Sequence, residues 1–269
     1  MGGISYIQTL CGTENGINGS EFLLVPFMLL LALYIIAVFK QNKRWPLHRT
    51  FLFLCGVLCA CLSVIGPLVV LSHIDFRAHM FSHLLLGMLA PLCIVVAKPM
   101  TLFLRTLPVS WARHLSFIFK SAPSRFLTNP FITALLNIGG SWLLYTTNLY
   151  VLMHEFSWIH FLVHFHLFMA GYLFTFSIIP SDPMPHRVSF RYRAIILVLA
   201  LAGHGILAKY IFAQPPIGVP KTQGEIGAEM MYYGGDVIEI AIIYLLFKKW
   251  FRFKRIDRGN EVRRQKAFP

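Results

Sequence analysis

The chain has 269 residues, of which 57% are hydrophobic and 13% are charged. This composition is too apolar for a soluble domain of that length and predicts an integral membrane protein. A formal net charge of +13 is compatible with nucleic-acid binding. However, the basic excess lies in short loops and near the C-terminal end, where membrane topology and anionic lipid account for it. We therefore expect membrane lipid as a partner and no nucleic acid.

Seven apolar stretches are long enough to cross a bilayer, which takes roughly 20 residues per helix. They are continuously apolar instead of alternating with a period of two, so they predict helices and not barrel strands. The fold class is predicted as an all-α integral membrane protein, a seven-transmembrane-helix bundle. The predicted helices cover residues 22–39, 50–72, 80–97, 131–153, 156–179, 194–212 and 230–250.

The basic residues predict the orientation of the bundle, because short loops rich in Lys and Arg stay on the cytoplasmic side. They concentrate in 40–49, 98–130, 181–193 and the segment from 248 onwards, whereas the alternate loops are acidic. The N-terminus is thus predicted outside and the C-terminus inside. We expect an extracytoplasmic segment 1–21, a membrane domain 22–250 and a basic cytoplasmic tail 251–269, with an amphipathic surface helix at 100–120.

Two His-x-x-x-His pairs, His79/His83 and His160/His164, fall in the first turns of the third and fifth predicted helices. Residues four apart share a helix face, so one helix can offer two imidazoles to one ion. Both pairs lie at a similar depth below the predicted outer surface. A buried imidazole without a partner is costly in lipid, so the repeated pair predicts a bound metal.

Further ligand types fall near the same layer. They are His73 at the end of helix two, His204 in helix six, and Met230, Met231 and Asp236 in helix seven. Imidazole and thioether are ligands of copper in both its biological oxidation states, so copper is the predicted metal and zinc the second choice. Asp236 is a candidate partner that orients a ligand ring. His73 and His154 either bind the metal or guide ions inward.

Other interpretations stay open. Cys55, Cys59 and Cys61 resemble a soft-metal cluster, but small thiols also pack well between helices. A membrane redox enzyme with a His-ligated di-iron or haem centre is the alternative function. Di-iron hydroxylases also carry a His-x-x-His-His box, which this chain lacks.

Several short motifs in order, HMFSHLLLGMLAP, HFLVHFHLFMAGYLF followed by PSDPMPHR, GHGILAK and MMYYGGDVIE, resemble the CtaG family of caa-type cytochrome c oxidase assembly factors. The resemblance implies a bacterial plasma-membrane protein, not an enzyme, that delivers copper to the CuB centre of a haem-copper oxidase. It implies an oxidase subunit carrying CuB as a partner and an extracytoplasmic copper donor as another. By position it points to the histidines of the two pairs and His204, to Asp236, and to Asp182 on the cytoplasmic side, where Arg187 or Arg191 is the expected partner.

Overall fold

The computed structural model describes residues 22–41, 44–179, 181–182 and 188–267, with side chains up to residue 255. These residues form helices and no strand, which confirms the all-α prediction. The helices are α1 Leu24–Lys40, α2 Leu47–Val64, α3 Pro67–Ser72, α4 Phe76–Ala97, α5 Pro99–Thr106, α6 Val109–Lys120, α7 Ala122–Leu127, α8 130–146, α9 Leu149–Glu155, α10 Ser157–Ile178, α11 Phe190–Ala213 and α12 Lys221–Ala267. One π-helical turn interrupts α4 at Leu85–Leu89 and another interrupts α8 at Leu135–Gly139.

Five of these helices, α2, α4, α10, α11 and α12, are long and apolar enough to cross a membrane. The chain is therefore a multi-pass membrane protein. Helix α1 is also apolar but has 17 residues, and α8 is divided by its π turn. We compared the most apolar 18 consecutive residues of each of these helices. In α4, 72% of them are buried, against 56% in α10 and at most 39% in the other three. The two helices that carry the histidine pairs are thus the most central ones.

The second, third and fourth predicted helices differ from the observed ones in where they break or begin. The second predicted helix breaks at Gly66, which has φ = 84° and precedes Pro67, the first residue of α3. The third begins at Phe76 because the Asp75 side chain caps it, accepting a hydrogen bond from the Arg77 amide at 2.9 Å. The fourth breaks after α8, where Thr147 is extended, and resumes as α9.

The bundle has two distinct ends. At the first end, α4 and α10 begin, α11 finishes and α12 starts, and we call this the histidine end because it carries the paired histidines. At the opposite end lie α5, α6 and α7, and we call it the basic end. The predicted surface helix 100–120 is divided there, since Pro108 separates α5 from α6. No residue of α6 is buried.

Asp182 lies at the basic end, where it fastens the turn after α10 to the start of α5. One of its carboxylate oxygens accepts from the Thr101 amide at 2.8 Å and from the Thr101 hydroxyl at 2.6 Å. Burial raises the pKa of this carboxyl, although the hydrogen bonds from Thr101 oppose that rise. The observed partner is therefore Thr101 and not the predicted Arg191, while Arg187 lies outside the described residues.

Helix α12 begins earlier and ends later than predicted. It starts at Lys221, nine residues before the expected Met230, and continues through position 251, where the tail was predicted to begin, to Ala267. The predicted N-terminal segment 1–21 lies outside the described residues. The last helix of the membrane domain therefore continues without a break into the basic segment.

Candidate metal centre

The two histidine pairs lie on α4 and α10 and point into the bundle. The exposed fraction is 5% for His79 and 4% for His83, His160 and His164. Residues four apart lie on the same helix face, so each pair is buried as a unit. The paired imidazoles therefore face the protein interior and not lipid.

The hydroxyl group of Tyr145, from α8, lies between the two imidazoles of α4. Its oxygen is 3.2 Å from His79 Nε2 and 3.0 Å from His83 Nδ1. A phenol has one hydrogen, so Tyr145 donates to one ring and accepts from the other. A metal ion needs contacts of about 2.0–2.1 Å to imidazole nitrogens. One ion can therefore take both nitrogens only after the hydroxyl moves away.

The imidazoles of His160 and His164 are stacked, with ring centroids 4.1 Å apart. His164 Nδ1 lies 3.0 Å from the backbone carbonyl oxygen of His160. A carbonyl oxygen only accepts hydrogen bonds, so Nδ1 carries the hydrogen of the ring. In neutral His164 the lone pair is then on Nε2, which is the arrangement that a metal ligand requires.

His73 and His154 extend the series of rings toward the histidine end. His73, which ends α3, stacks on His160 with centroids 5.0 Å apart, and His154 of α9 meets His73 edge-on at 5.5 Å. His154 also donates from Nδ1 to the Tyr150 carbonyl oxygen at 2.8 Å, as His164 does to its own helix. The ring centroids of His79 and His154 are 6.3 Å apart. The rings of α3, α4, α9 and α10 thus form one group.

A cavity of about 280 Å³ lies at the outer limit of this group of rings, and His73, His154 and Asp75 line it. Arg77 lies 2.6 Å from Asp75 and holds the pKa of that carboxyl below its usual range. Asp75 is therefore ionised at neutral pH. Arg77 already balances the charge of Asp75, so His73 and His154 are the groups at this cavity that suit an approaching cation.

His204 of α11 pairs with a carboxylate that the sequence analysis did not single out. His204 Nδ1 is 3.0 Å from Glu239 Oε1, and the two side chains are 5% and 10% exposed. The predicted carboxylate, Asp236, is only half-buried. The close packing of Gly235 explains the difference, because a Cβ on Gly235 would overlap the His204 ring. The residue four positions on, Glu239, shares that helix face, whereas Asp236 is turned by about 100°.

A carboxylate inside an apolar helix was the available signal for Glu239, since charged residues in membrane spans usually serve a function. Tyr145 had no such signal, because the sequence does not distinguish it from other tyrosines in apolar helices. Neither of the predicted methionines lines the cavity beside His204. Met231 is fully buried in an apolar cluster with Phe76, and Met230 is half-buried. The methionine that lines the cavity beside His204 is Met88.

The cysteines lie apart from the histidines. Cys55, Cys59, Cys61 and Cys93 are half-buried free thiols. Cys93 of α4 is close enough to Cys55 and Cys59 of α2 to interact with them electrostatically. It follows His83 by ten residues on α4, or about 15 Å along the helix. The thiols therefore belong to the contact between α2 and α4 and not to the imidazole group.

Within the described part of the chain, no three His, Cys, Asp or Glu side chains converge closely enough to hold a metal ion as they stand. Three buried ring nitrogens nevertheless have no hydrogen-bond partner among these residues: His73 Nε2, His160 Nδ1 and His204 Nε2. Buried polar atoms are usually satisfied, so these nitrogens have spare capacity for a ligand. The donor set fits a transition metal, and binding would require side-chain rotations.

A known protein family matches residues 32–253, which is most of the chain. Its description is cytochrome c oxidase caa3 assembly factor. The chain belongs to this family. The resemblance that the short motifs carry is thereby confirmed.

Relatives of this chain occur in mycobacteria. An uncharacterised protein of Mycobacterium leprae is 26% identical over 241 residues, which cover 81% of this chain and 36% of the relative. Uncharacterised proteins of Mycobacterium bovis and Mycobacterium tuberculosis are each 30% identical over 177 residues, covering 62% of this chain and 26% of the relative. The chain thus spans about a third of the length of the first relative and about a quarter of the length of the other two. No solved structure matches it.

Proposed function

We propose that this assembly factor binds copper at its buried imidazoles and delivers it to the CuB centre of a haem-copper oxidase, without catalysing a reaction itself. The observation that carries the proposal is the group of rings that leads from the 280 Å³ cavity at the histidine end toward His204, with buried ring nitrogens left unpartnered along it. Membership in the oxidase assembly family supports the destination of the cargo.

Copper is the ion that this donor set favours. The donors are imidazoles with a nearby thioether, and magnesium or calcium would call for several carboxylates or carbonyls instead. His154 and His164 donate from Nδ1 to backbone carbonyl groups, so each has its lone pair on Nε2. Zinc is the second choice, because it accepts the same nitrogen ligands.

The proposed route begins outside the cell. An extracytoplasmic donor releases copper at the cavity beside His73 and His154, the buried imidazoles hold it, and it leaves laterally to the oxidase subunit that carries CuB. Transfer requires ligands that can be exchanged, so an open set of imidazoles suits a carrier better than a closed four-coordinate cage. The proposed location is the plasma membrane of a bacterium.

The proposed topology has seven crossings, with α1 and α8 completing the five long apolar helices. The N-terminus and the histidine end then face outward, and the basic end faces the cytoplasm, as the positive-inside rule requires. Cysteine labelling tests this orientation. In a background with the native cysteines replaced by serine, we expect an impermeant maleimide to label Ile217→Cys in intact cells but not Ser110→Cys. Labelling of Ser110→Cys alone would show that the orientation is the opposite of the proposed one.

The metal content of the detergent-purified chain tests the function. We expect copper by elemental analysis after growth with added copper, and no Soret band. A Soret band would indicate a haem protein, and stoichiometric iron without haem would indicate the di-iron enzyme. Either result, in a protein without copper, would contradict the carrier proposal.

Replacing Tyr145 with phenylalanine should strengthen copper binding. The hydroxyl occupies the space between His79 Nε2 and His83 Nδ1, so copper must break these hydrogen bonds to use both rings. Losing them should raise the copper affinity by about threefold to tenfold and lower the free energy of unfolding by about 1 kcal/mol. A competition titration with a copper(I) chelator measures the affinity. Tyr150→Phe is the matched control, and weaker binding by Tyr145→Phe would instead make the hydroxyl a ligand.

A further inference from the structure

A second polar site lies deeper in the bundle than the rings near the histidine end. It is a cavity of about 20 Å³ enclosed by α4, α8, α10, α11 and α12. Three of the side chains that line it carry metal-ligating nitrogen or sulfur, namely His83, Met88 and His204. A cavity of this volume accommodates one water-sized species.

His204 lines this cavity with an unused nitrogen. Its Nδ1 lies 3.0 Å from Glu239 Oε1, and since a carboxylate only accepts, Nδ1 carries the hydrogen of the neutral ring. The lone pair is then on Nε2. That atom is buried and has no hydrogen-bond partner in the described part of the chain. A carboxylate that fixes the tautomer and orientation of an imidazole in this way is the usual partner of a metal-bound histidine.

The burial of Glu239 also points to a cation. Only 7% of the whole residue is exposed, and it lies in an apolar helix where an uncompensated carboxylate is costly. A cation in the cavity both balances Glu239 and uses the lone pair on Nε2.

We infer that this cavity is a second, inner metal position that holds one copper ion between His204 Nε2, His83 and Met88. Glu239 is the positioning residue, because it orients His204 without contacting the ion. Imidazole and thioether together suit copper(I). His83 connects the two positions, since it contacts the inner cavity and, through Tyr145, also His79. The inference rests on the proposed copper-carrying function.

Copper(I) titration of the purified full chain against a competing chelator tests the inner position. We expect two equivalents for the wild type and one for His204→Ala. Glu239→Gln should keep the first equivalent and weaken the second by about tenfold or more, the usual effect of removing a carboxylate behind a ligand histidine. His160→Ala should lose the other equivalent instead. Copper X-ray absorption should show a sulfur neighbour that disappears in Met88→Leu.

Glu229→Gln is the matched control, because Glu229 is exposed on the same helix as Glu239. It should bind copper like the wild type. If the wild type binds one equivalent, and Glu239→Gln and Met88→Leu bind it unchanged, the inner position does not exist while the carrier proposal stands. If the wild type binds no copper, both proposals are wrong. Glu239→Gln and Met88→Leu nearly conserve side-chain volume, so the test remains decisive should His204→Ala fail to fold.

Discussion

Replacing His83 and His164 together with alanine is expected to abolish copper retention and to stop maturation of the oxidase in cells. The double variant removes one imidazole from each buried pair. His83 contacts both Tyr145 and the inner cavity, and the lone pair of His164 is fixed on Nε2 by its backbone hydrogen bond. Replacing a residue that only supports a metal ligand already lowers metal affinity by about 10–100-fold. Removing two ligands should therefore lower it by more than about 100-fold. Elemental analysis of the purified chain and oxygen consumption by membranes measure the two effects.

His166→Ala is the matched control for this double variant. His166 lies on the same helix as His164 but is exposed, and its Nε2 donates to the Leu136 carbonyl oxygen at 3.1 Å. It points to another face, so copper retention and oxidase activity should stay normal. Normal copper content and normal oxidase in the double variant would refute the carrier function. Equal losses in His166→Ala would mean that any histidine replacement damages the bundle.

Gly171→Ala should strongly destabilise the contact between the two central helices. Gly171 of α10 faces Gly87 of α4, and a Cβ at position 171 would overlap the Gly87 carbonyl oxygen. That obstacle is backbone, so it cannot move aside as a flexible side chain does. Overpacking typically costs about 1–3 kcal/mol, and we expect the upper end of this range. Because the two helices carry the histidine pairs, copper binding should weaken as well.

Thermal unfolding in detergent, followed by size-exclusion chromatography, measures this effect. Gly205→Ala serves as the control, since its Cβ would meet Tyr232 at an ordinary distance of 3.5 Å. Alanine is favoured over glycine within a helix by about 0.5–1 kcal/mol, so this variant should be as stable as the wild type or slightly more so. An unfolding temperature for Gly171→Ala equal to that of the wild type would show that α4 and α10 can separate without cost.

The approximate positions of the apolar helices could be predicted from the sequence because hydrophobicity is a local property. The breaks within them were harder to predict. Gly66 and Pro67 mark one break, but they lie within a continuous apolar run. The Asp75 cap marks the start of α4, but it precedes the apolar run itself by several residues. Helix α12 continues far beyond its apolar part, because a helix needs no hydrophobic residues once it extends from a packed segment.

The partners of the candidate site could be predicted only in part. The spacing of His79, His83, His160 and His164 indicated that each pair shares a face, and this followed from helix geometry alone. The partner of His204 depends on how α11 and α12 are rotated against each other. Gly235 allows the His204 ring to approach α12, and this approach brings Glu239 within reach instead of Asp236.

The sequence by itself determined the class of this protein, its apolar helices and the residue types that could bind a metal, because composition and helical periodicity depend only on neighbours along the chain. The tertiary structure decided which groups meet. It placed Tyr145 between His79 and His83, paired His204 with Glu239, and brought Met88 to the inner cavity. Such contacts join residues far apart in the chain, and they depend on the distance and rotation between packed helices.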